Sequence, residues 1–450
     1  MPNETLKQVV DRVKAAKTAI GNAIVAKGGT VGANDGLEEF PTDIATIPTG
    51  GITPAEPKDV NFYDYDGTCV YSYTADEFAE LTEMPANPSH AGLTAQGWNW
   101  SLSDAKAYVA KYDRLIIGQM YITDDGATRL YVSIGDGRLN KFISCAVNGT
   151  LTIDWGDGTT PDTVTGSSTS SSSIVDIAHN YAKAGDYCIS MSALGQYQFN
   201  VNKTPSNSSL KFNVVSANIG ANGLAGPNMF SGCINMISLT LPKNIGNMYG
   251  SCIRNCRALS HLILPIGSSS NDSYILAGSQ LKTLSFPKEY RLDTATCEGC
   301  AFLEITPPEV AGTDTRNTFQ NNTSLTSFTF PDTTTTISYW LNGCTSLGYI
   351  KFTSTTPPSV TAATAWNNIP SDCYILVPLN TLDDYLNETN MPDDSTYLYL
   401  CYAKYASGAE LPTTSTDGYT LTWYATKDDA RAGTNPITVG NGKEVYAVGV

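Results

Sequence analysis

The segment that decides the fold is Phe230-Ser231-Gly232-Cys233-Ile234-Asn235-Met236-Ile237-Ser238-Leu239-Thr240-Leu241-Pro242. Its central position recurs at intervals of 22 or 23 residues, at Cys233, Cys256, Gly278, Cys300, Asn322 and Cys344. A large apolar residue follows each of them by three places, at Met236, Leu259, Leu281, Leu303, Leu325 and Leu347. Another precedes each by three places, at Phe230, Ile253, Ile275, Cys297, Phe319 and Leu341. Agreement at several positions over six units indicates an internal repeat.

Each unit also carries a strand-like apolar pair downstream of the central position. These pairs are Leu239/Leu241, Leu262/Leu264, Leu284/Phe286, Phe328/Phe330 and Ile350/Phe352. The fourth unit has Ile305 followed by Pro307-Pro308, which predicts a short or distorted strand there. A single unit cannot bury its own apolar face, so the units are expected to stack into a parallel sheet, one strand each. Six strands at about 4.8 Å apart give a sheet roughly 25–30 Å long.

The repeat pattern resembles the BspA-like leucine-rich repeats of bacterial surface proteins. A later segment, Ile369–Pro378 with Leu382 and Tyr385, resembles the segment that closes such arrays. The resemblance implies a leucine-rich-repeat solenoid over residues 205–392 and a role in recognition or adhesion.

Solenoid proteins bind partners through a side of the stacked sheet. Alternation along the strands predicts one outward-facing row, which we take as the candidate binding residues: Thr240, His261, Ile263, Ser285, Ser327, Thr329, Tyr349 and Lys351. The row is small, polar and nearly uncharged. It suits a glycan or a protein surface, and it equally suits an ordinary solvated face.

Two segments precede the repeats. Residues 52–140 predict a small α+β domain, with a strand at Val60–Tyr63, a capping box at Thr74–Glu77, a second helix capped by Ser103, and strands at Leu115–Ile122 and Arg129–Ile134. Residues 141–204 contain Trp155-Gly156-Asp157-Gly158-Thr159 and a later His179–Tyr187 segment. This pair of motifs resembles the PKD-type immunoglobulin-like sandwich, and the resemblance implies a packing or hydrogen-bonding role for His179.

The two ends of the chain predict separate segments. Residues 400–450 contain Gly418–Tyr424 (GYTLTWY) and Glu444–Ala447 (EVYA), which resemble internalin-type B repeats and imply a small β-grasp-like module. Residues 4–26 carry apolar residues at heptad spacing and predict a helix within an N-terminal attachment segment and linker, residues 1–50. That helix either docks on its own chain or forms a short oligomerisation coil, which would make the chain a homo-oligomer through residues 4–26.

Three motifs carry a chemical alternative. Asp64-Tyr65-Asp66-Gly67-Thr68 matches the haloacid-dehalogenase phosphatase signature, with Asp64 as nucleophile and Asp66 as acid/base beside Mg²⁺. The contrasting interpretation is a strand that ends in an Asp-Gly turn. It is favoured because too few residues follow the motif to form the doubly wound core that such phosphatases need. The pairs Cys252/Cys256 and Cys297/Cys300 have zinc-like spacing, but repeat packing accounts for three of these four cysteines. Asp154 and Asp157 fit either a Ca²⁺ site or a hydrogen-bonded turn.

Composition excludes several classes of function. The chain has 43 acidic and 27 basic residues, a net charge of -16, so no basic stripe is available to neutralise phosphates in nucleic acid or anionic membranes. Neither a signal-peptide pattern at the start of the chain nor an apolar run long enough for membrane insertion is seen in the sequence.

The prediction is therefore a mainly β, multidomain chain that combines a leucine-rich-repeat solenoid, an Ig-like (PKD-type) sandwich, a small α+β unit, a β-grasp-like C-terminal module and an N-terminal helix. We expect a non-catalytic, extracellular recognition or adhesion protein that needs no cofactor or metal and binds a protein or glycan on a cell surface. Two settings remain open. One is a tail-associated protein of a phage or prophage particle, and the other is a bacterial cell-surface adhesin.

Overall fold

The repeats fold into stacked rungs, as the sequence predicts. The computed structural model describes residues 54–135, 137–202, 208–270, 272–311 and 316–449, and residues 56–450 form one unit. The predictions for residues 1–50, including the helix at 4–26, lie outside the described residues. Among the described residues, none of the helices has the length and apolar character needed to cross a lipid bilayer.

The α+β unit has four strands and two helices. They are β1 (Val60–Tyr63), β2 (Cys69–Tyr73), α1 (Ala75–Ala79), β3 (Leu93–Trp98), α2 (Leu102–Tyr112) and β4 (Leu115–Thr123). The sheet order is β2-β1-β4-β3, with β1 parallel to β4 and the outer strands antiparallel. Thr74 forms the predicted capping box with Glu77. The cap of α2 is Ser101 rather than Ser103, because the Ser101 hydroxyl accepts the Asp104 N–H.

Two sheets that share one long strand come next. The strands are β5 (Thr128–Ile134), β6 (Asn140–Asp154), β7 (Asp162–Ser167), β8 (Val175–Asn180), β9 (Gly185–Ala193) and β10 (Tyr197–Asn200). The first half of β6 pairs with β8 and β10, and its second half pairs with β7 and β9. Strand β5 pairs with β9 and not with the α+β sheet, so the strand predicted at Arg129–Ile134 belongs to this sandwich. The PKD resemblance stays a prediction.

The solenoid has two rows of strands. The front row contains β11 (Val214–Asn218), β13 (Ser238–Thr240), β15 (His261–Ile263), β17 (Thr283–Ser285), β20 (Ser327–Phe330), β22 (Tyr349–Phe352) and β24 (Tyr374–Pro378). The back row contains β12 (Gly223–Leu224), β14 (Asn247–Met248), β16 (Ser269–Ser270), β18 (Arg291–Leu292), β19 (Val310–Ala311), β21 (Thr336–Ile337) and β23 (Ser359–Val360). The fourth unit, for which a short or distorted strand is predicted, has no front-row strand at Ile305. Strand β11 is an additional rung that the sequence analysis missed, and it joins the sandwich strand β5 to β13.

The C-terminal residues extend the front row. After α3 (Leu382–Asn387) come β25 (Tyr399–Lys404), β26 (Leu421–Tyr424), α4 (Lys427–Ala432), β27 (Pro436–Ile437) and β28 (Glu444–Gly449). Strand β25 pairs in parallel with β24, and β28 pairs with both β25 and β26. The last repeats and the C-terminal module therefore share one sheet. The resemblance to B repeats stays a prediction.

The central repeat position donates a hydrogen bond to the preceding rung. The side chains of Cys256, Ser279, Cys300, Asn322 and Cys344 donate to the carbonyl oxygens of Phe230, Ile253, Leu276, Cys297 and Phe319, respectively. Two predicted positions are therefore wrong by one residue: Ser279 fills the slot in place of Gly278, and Leu276 replaces Ile275. Gly278 instead lies at the preceding corner with φ +72°, a conformation that Asn255 and Asn321 adopt in their own rungs.

A similar shift affects the fourth unit. Leu303 was predicted to point into the core, but its exposed fraction is 55%, and Phe302 is fully buried in its place. In a distorted rung the local backbone path determines which apolar residue points inward. Sequence spacing alone therefore selects Leu303 where the buried residue is Phe302.

Candidate functional site

The predicted binding row does not face solvent along its whole length. Five of its members are buried: Thr240, His261, Ile263, Ser285 and Lys351. Three are half-buried: Ser327, Thr329 and Tyr349. The expectation of a solvent-exposed face is thus wrong for the buried five, because other parts of the same unit cover both ends of the row.

The α+β unit covers the end nearest the sandwich. The side-chain amide of Asn99 donates to the Leu264 carbonyl at 2.9 Å and to the Ser285 hydroxyl at 2.9 Å. The Ser285 hydroxyl donates in turn to the Ile116 carbonyl at 2.8 Å. At Gly118 the approach is so close that a Cβ atom would lie 2.5 Å from side-chain carbons of Ile263. These contacts fix strand β4 against the front row.

The C-terminal module covers the other end. Helix α4 packs onto a small apolar cluster of Tyr374, Leu376, Leu400, Tyr424 and Ala430. Lys351 is buried beside this cluster, where its ammonium group pairs with Glu444 at 2.7 Å. Because Lys351 is buried and paired with Glu444, it is not available to contact a ligand from solution.

Between these two covers a cleft remains open. Its enclosed volume is about 30 Å³, and its lining includes the three half-buried members of the predicted row, Ser327, Thr329 and Tyr349. The α+β unit contributes Asp59, Asn61, Tyr108, Tyr112, Arg114, Leu115 and Ile116, and the distorted fourth repeat contributes Glu304, Ile305, Thr306 and Pro307. This cleft, which we call the junction cleft, contains the half-buried members of the predicted row and is the candidate site.

Tyr349 lies where the junction cleft meets the C-terminal module. One face of its ring is covered by the Lys427 ammonium, 3.7 Å from the ring centre, and its ring also stacks on Tyr374, with the centres 5.6 Å apart. Burial alone would raise the pKa of the Tyr349 hydroxyl. The charges of Lys427 and Arg114 and a hydrogen bond with Ser327 outweigh burial, so the pKa is lowered from 10.0. Lys427, Arg114 and Ser327 therefore favour the ionised form of this hydroxyl.

On the side of the junction cleft formed by the α+β unit and the fourth repeat, an ion pair and a tyrosine hydroxyl join the two parts. Arg114 pairs with Glu304 at 2.5 Å, and both side chains are more than 40% exposed. Deeper in, Tyr108 donates to the Pro307 carbonyl at 2.7 Å. Burial raises the pKa of Tyr108 far above its ordinary value, so this tyrosine stays neutral. The deep tyrosines position the wall, and the exposed Arg114 and Glu304 line the mouth.

The phosphatase alternative at Asp64 is not supported by the arrangement found. The carboxylate of Asp64 is 5% exposed and lies 2.6 Å from the His90 imidazole. The carboxylate of Asp66 accepts the Thr68 N–H at 2.9 Å, and the Gly67 N–H donates to the Asp64 carbonyl. These bonds are those of a tight Asp-Gly turn after β1, and the four-stranded mixed sheet is not a doubly wound core.

The other motifs also serve local structure. Asp154 accepts the Gly156 N–H, and Asp157 accepts the Thr159 N–H and lies 2.8 Å from the His179 ring, which stacks on Trp155. All eleven cysteines are free thiols, and burial raises the pKa of Cys252 and Cys297. Within the ranges that the structure describes, no cluster of three His, Cys, Asp or Glu side chains could hold a metal ion.

The predicted binding row supplies three of the fourteen residues that line the junction cleft. The repeat period identified Ser327, Thr329 and Tyr349. It could not identify Asp59, Tyr112 or Arg114, because they come from the α+β unit, more than about 200 residues before Ser327. One residue of the predicted row indicates that another part of the chain covers it. Ile263 is a large apolar residue at a position expected to face water.

Comparisons with known proteins agree with the repeat. Residues 225–313 and 313–365 match the family described as BspA type leucine-rich repeat region, in six copies. No curated protein sequence matches the chain. A solved structure that resembles it is a leucine-rich repeat protein from Bacteroides ovatus, with 19% identity and a TM-score of 0.27. The match covers 41% of this chain and 52% of that protein, so the chain spans about half of that protein's length. The chain is a mainly β protein, and residues 225–365 of its solenoid are similar to BspA type leucine-rich repeats.

Proposed function

We propose that the chain is a non-catalytic recognition protein that binds a ligand on a cell surface through the junction cleft. The observation that carries this proposal is the burial pattern of the front row. Two covering modules occupy it from both ends and leave open one cleft lined by hydroxyls and charges. A concave site with a few convergent polar groups is where proteins usually bind small ligands.

The similarity to BspA-type repeats supports an extracellular setting. We propose display on a phage or prophage particle, with the modules meeting the host surface, and a bacterial cell-surface adhesin as the alternative. Genes that encode tail and baseplate proteins beside this one would favour the particle, and an export or sortase cluster would favour the adhesin.

The binding test uses the full chain, fluorescently labelled, on a panel of intact gut bacteria and host cells, read by flow cytometry. Ser327→Trp fills the junction cleft, because Ser327 is half-buried on strand β20. The matched control is Thr163→Trp, which adds the same ring at an exposed strand position in the sandwich. We expect wild type and Thr163→Trp to bind and Ser327→Trp to lose binding, with all three folded by circular dichroism.

Two results would contradict the proposal. Equal binding by Ser327→Trp and Thr163→Trp would place recognition elsewhere on the molecule. No binding by the wild type to any cell of the panel would remove the recognition function itself.

A separate test addresses the N-terminal segment. We propose that residues 4–26 form an oligomerisation or attachment coil, so deleting residues 1–27 is expected to lower the mass measured by light scattering. Identical monomeric masses before and after the deletion would rule out the coil.

A further inference from the structure

The α+β unit lies outside the hydrophobic core that the sandwich, the solenoid and the C-terminal module share. One continuous cluster of buried apolar side chains runs from Leu130 in the sandwich, through the solenoid, to Ala447 in the C-terminal module. Among the residues that the structure describes, this cluster contains none from the α+β unit. The strands of the α+β unit form a four-stranded sheet of their own. The α+β unit is therefore a separate body that is docked on the front row.

The contacts that dock it are largely polar. Besides the hydrogen bonds described for the candidate site, Trp100 Nε1 donates to the Phe286 carbonyl at 2.7 Å. The Lys243 N–H donates to the Gln96 side chain at 2.8 Å. Ile263, which lies against the β4 backbone, is a buried apolar contact of the same interface. Water replaces each hydrogen bond when the two surfaces separate, so these bonds add little net free energy to docking.

Exposed ion pairs lie around the rim of this interface. Their side chains are all at least 34% exposed, and the pairs are Lys288–Asp104, Lys111–Asp332, Arg114–Glu304 and Lys404–Asp113. Exposed ion pairs contribute little to stability. Polar interfaces within a chain resemble those of transient complexes, across which domain motion is expected.

One buried side chain opposes docking. His261 lies beneath the turn that follows β1, where a Cβ atom at Gly67 would be 3.2 Å from the His261 Cβ, and its ring packs on Tyr63. Neither ring nitrogen of His261 has a hydrogen-bond partner in the described part of the chain. Water can bond to both nitrogens once the α+β unit leaves. The docked state therefore carries a desolvation cost that release removes.

This cost depends on pH. The ionisable side chains that face His261, or that bond to one that does, are Tyr63, Asp64, Asp66 and His90. On the solenoid side its strand neighbour is Thr283, which does not titrate. Burial lowers the pKa of His261 from 6.5 to about 4 and outweighs the opposite effect of the two carboxylates. Between these values the exposed ring binds a proton and the buried ring does not, so acid favours the released state.

We propose that the α+β unit is a detachable cover of the front row, which acid releases by protonating His261. Release exposes Ile263 and Ser285, two buried members of the predicted row, and removes one wall of the junction cleft. The inference rests on the proposed function only in taking this row as the binding surface. The release itself is measured without any ligand.

Tryptophans at three places distinguish release from unfolding. Trp100 is buried where the α+β unit meets the Phe286 rung. Trp98 is buried in the core of the α+β unit, where its ring packs on Phe62. Trp340 is buried inside the solenoid. Release exposes Trp100 alone, whereas unfolding of either part exposes Trp98 or Trp340.

The experiment measures, in the full chain, the rate at which a tryptophan-specific reagent modifies each of these residues. Peptide mass spectrometry gives the rate, which is divided by that of a free tryptophan derivative at the same pH. From the two pKa values of His261, the ratio of released to docked protein is expected to rise about fiftyfold from pH 7 to pH 4.5. We expect the Trp100 rate to rise by that factor, and the Trp98 and Trp340 rates to stay nearly unchanged.

Variants assign the effect to His261. His261→Gln keeps a neutral polar side chain that does not titrate, and is expected to reduce the rise at Trp100 to less than about threefold. His261→Phe serves the same purpose if the Gln variant does not fold. Lys288→Gln is the control, because it removes an exposed ion pair of the same interface and is expected to retain the pH dependence.

Three results would contradict the inference. A Trp100 rate that is equal at both pH values would show that the α+β unit stays docked. A rise shared by Trp98 and Trp340 would show unfolding in place of release. A rise in His261→Gln equal to that of the wild type would show that other groups drive release. Each of these results leaves the proposed function untouched, since none of them involves binding to a cell.

Discussion

His261 is a polar residue that the fold leaves unsatisfied. Both ring nitrogens are buried and have no hydrogen-bond partner in the described part of the chain. Its ring packs on Tyr63 at 5.4 Å, and the backbone at Gly67 closes over its Cβ. Burial lowers the pKa of His261 to about 4, although Asp66 and Asp64 act in the opposite direction. Such a side chain opposes folding, and the more so when it must carry a proton.

This predicts a pH dependence of stability. The His261 pKa is 6.5 in the unfolded chain and about 4 in the folded one. Between these values the unfolded state binds more protons, so stability is full above pH 6.5 and falls as the pH is lowered toward 4, by about 3 kcal/mol in all. His261→Phe is expected to raise the free energy of unfolding at pH 7, and to raise it further at pH 5, in urea titrations. An identical pH dependence in both proteins would contradict this assignment.

A second residue-scale prediction concerns the slot cysteines. Cys344 is buried and donates to the Phe319 carbonyl at 3.3 Å, a bond that Ser279 provides in its own rung with a hydroxyl. Cys344→Ser keeps a donor and is expected to change the unfolding free energy little. Cys344→Val loses this hydrogen bond, although the Phe319 carbonyl still accepts the Asn322 amide, and is expected to cost about 1 kcal/mol more than Cys344→Ser. The check is chemical denaturation of both variants. If Cys344→Val proves more stable than Cys344→Ser, the hydrogen bond contributes nothing and the position requires only an apolar side chain.

At the scale of elements, the contact between β4 and the front row carries the arrangement of the site. The Gly118 backbone lies against Ile263, and the Asn99 side chain accepts the Gly118 N–H and donates to the Ser285 hydroxyl. Because the α+β unit forms one wall of the junction cleft, any shift at this contact changes the cleft directly.

We therefore expect Gly118→Ala to destabilise the protein by about 1–3 kcal/mol, since the added methyl overlaps Ile263. Gly135→Ala is the matched control, because nothing lies within 4 Å of its Cβ position. Thermal unfolding measures both. Adding Ile263→Val to Gly118→Ala is expected to recover part of the loss, and a strictly additive double variant would argue against direct contact.

The sequence predicts the burial of a residue in these strands where the repeat period determines it, and fails where a contact with a distant segment determines it. The repeat period determines which residues of β15, β17, β20 and β22 face the core, because each rung repeats the same burial. It does not determine what docks on the opposite face, since that depends on a contact between segments more than 100 residues apart. The register errors at Gly278 and Leu303 arise where a rung gains or loses one residue.

At the scale of the whole molecule, backbone hydrogen bonds link successive parts of the unit. Strand β5 of the sandwich pairs with β11, the first rung, and strand β24 of the last rung pairs with β25 of the C-terminal module. Both ends of the front row are thereby protected by neighbouring strands, which is how repeat proteins avoid open sheet edges.

Removing residues 393–450 is expected to expose the edge of β24 together with Tyr374 and Leu376, and to produce aggregation in size-exclusion chromatography. Val445→Asp offers a milder test, because Val445 is fully buried, and Thr422→Asp is its exposed control on β26. Val445→Asp is expected to lower Tm markedly and Thr422→Asp to leave it nearly unchanged. A monodisperse deletion variant with wild-type Tm would show that the C-terminal module is dispensable as a cap.

The hydrogen-bond slot also bears on how this array changes during evolution. The slot side chains from Cys256 to Cys344 reach a backbone carbonyl of the previous rung, so this hydrogen bond does not depend on which slot side chain the neighbour carries. Gene duplication or recombination can therefore lengthen or shorten the array when the breakpoints fall one period apart and the apolar side chains of the new neighbours pack together. The rungs on either side of the junction cleft are the exception. Inserting a unit between Glu304 and β20 would move Glu304 and Tyr349 apart, and would change the shape of the cleft in a single genetic event.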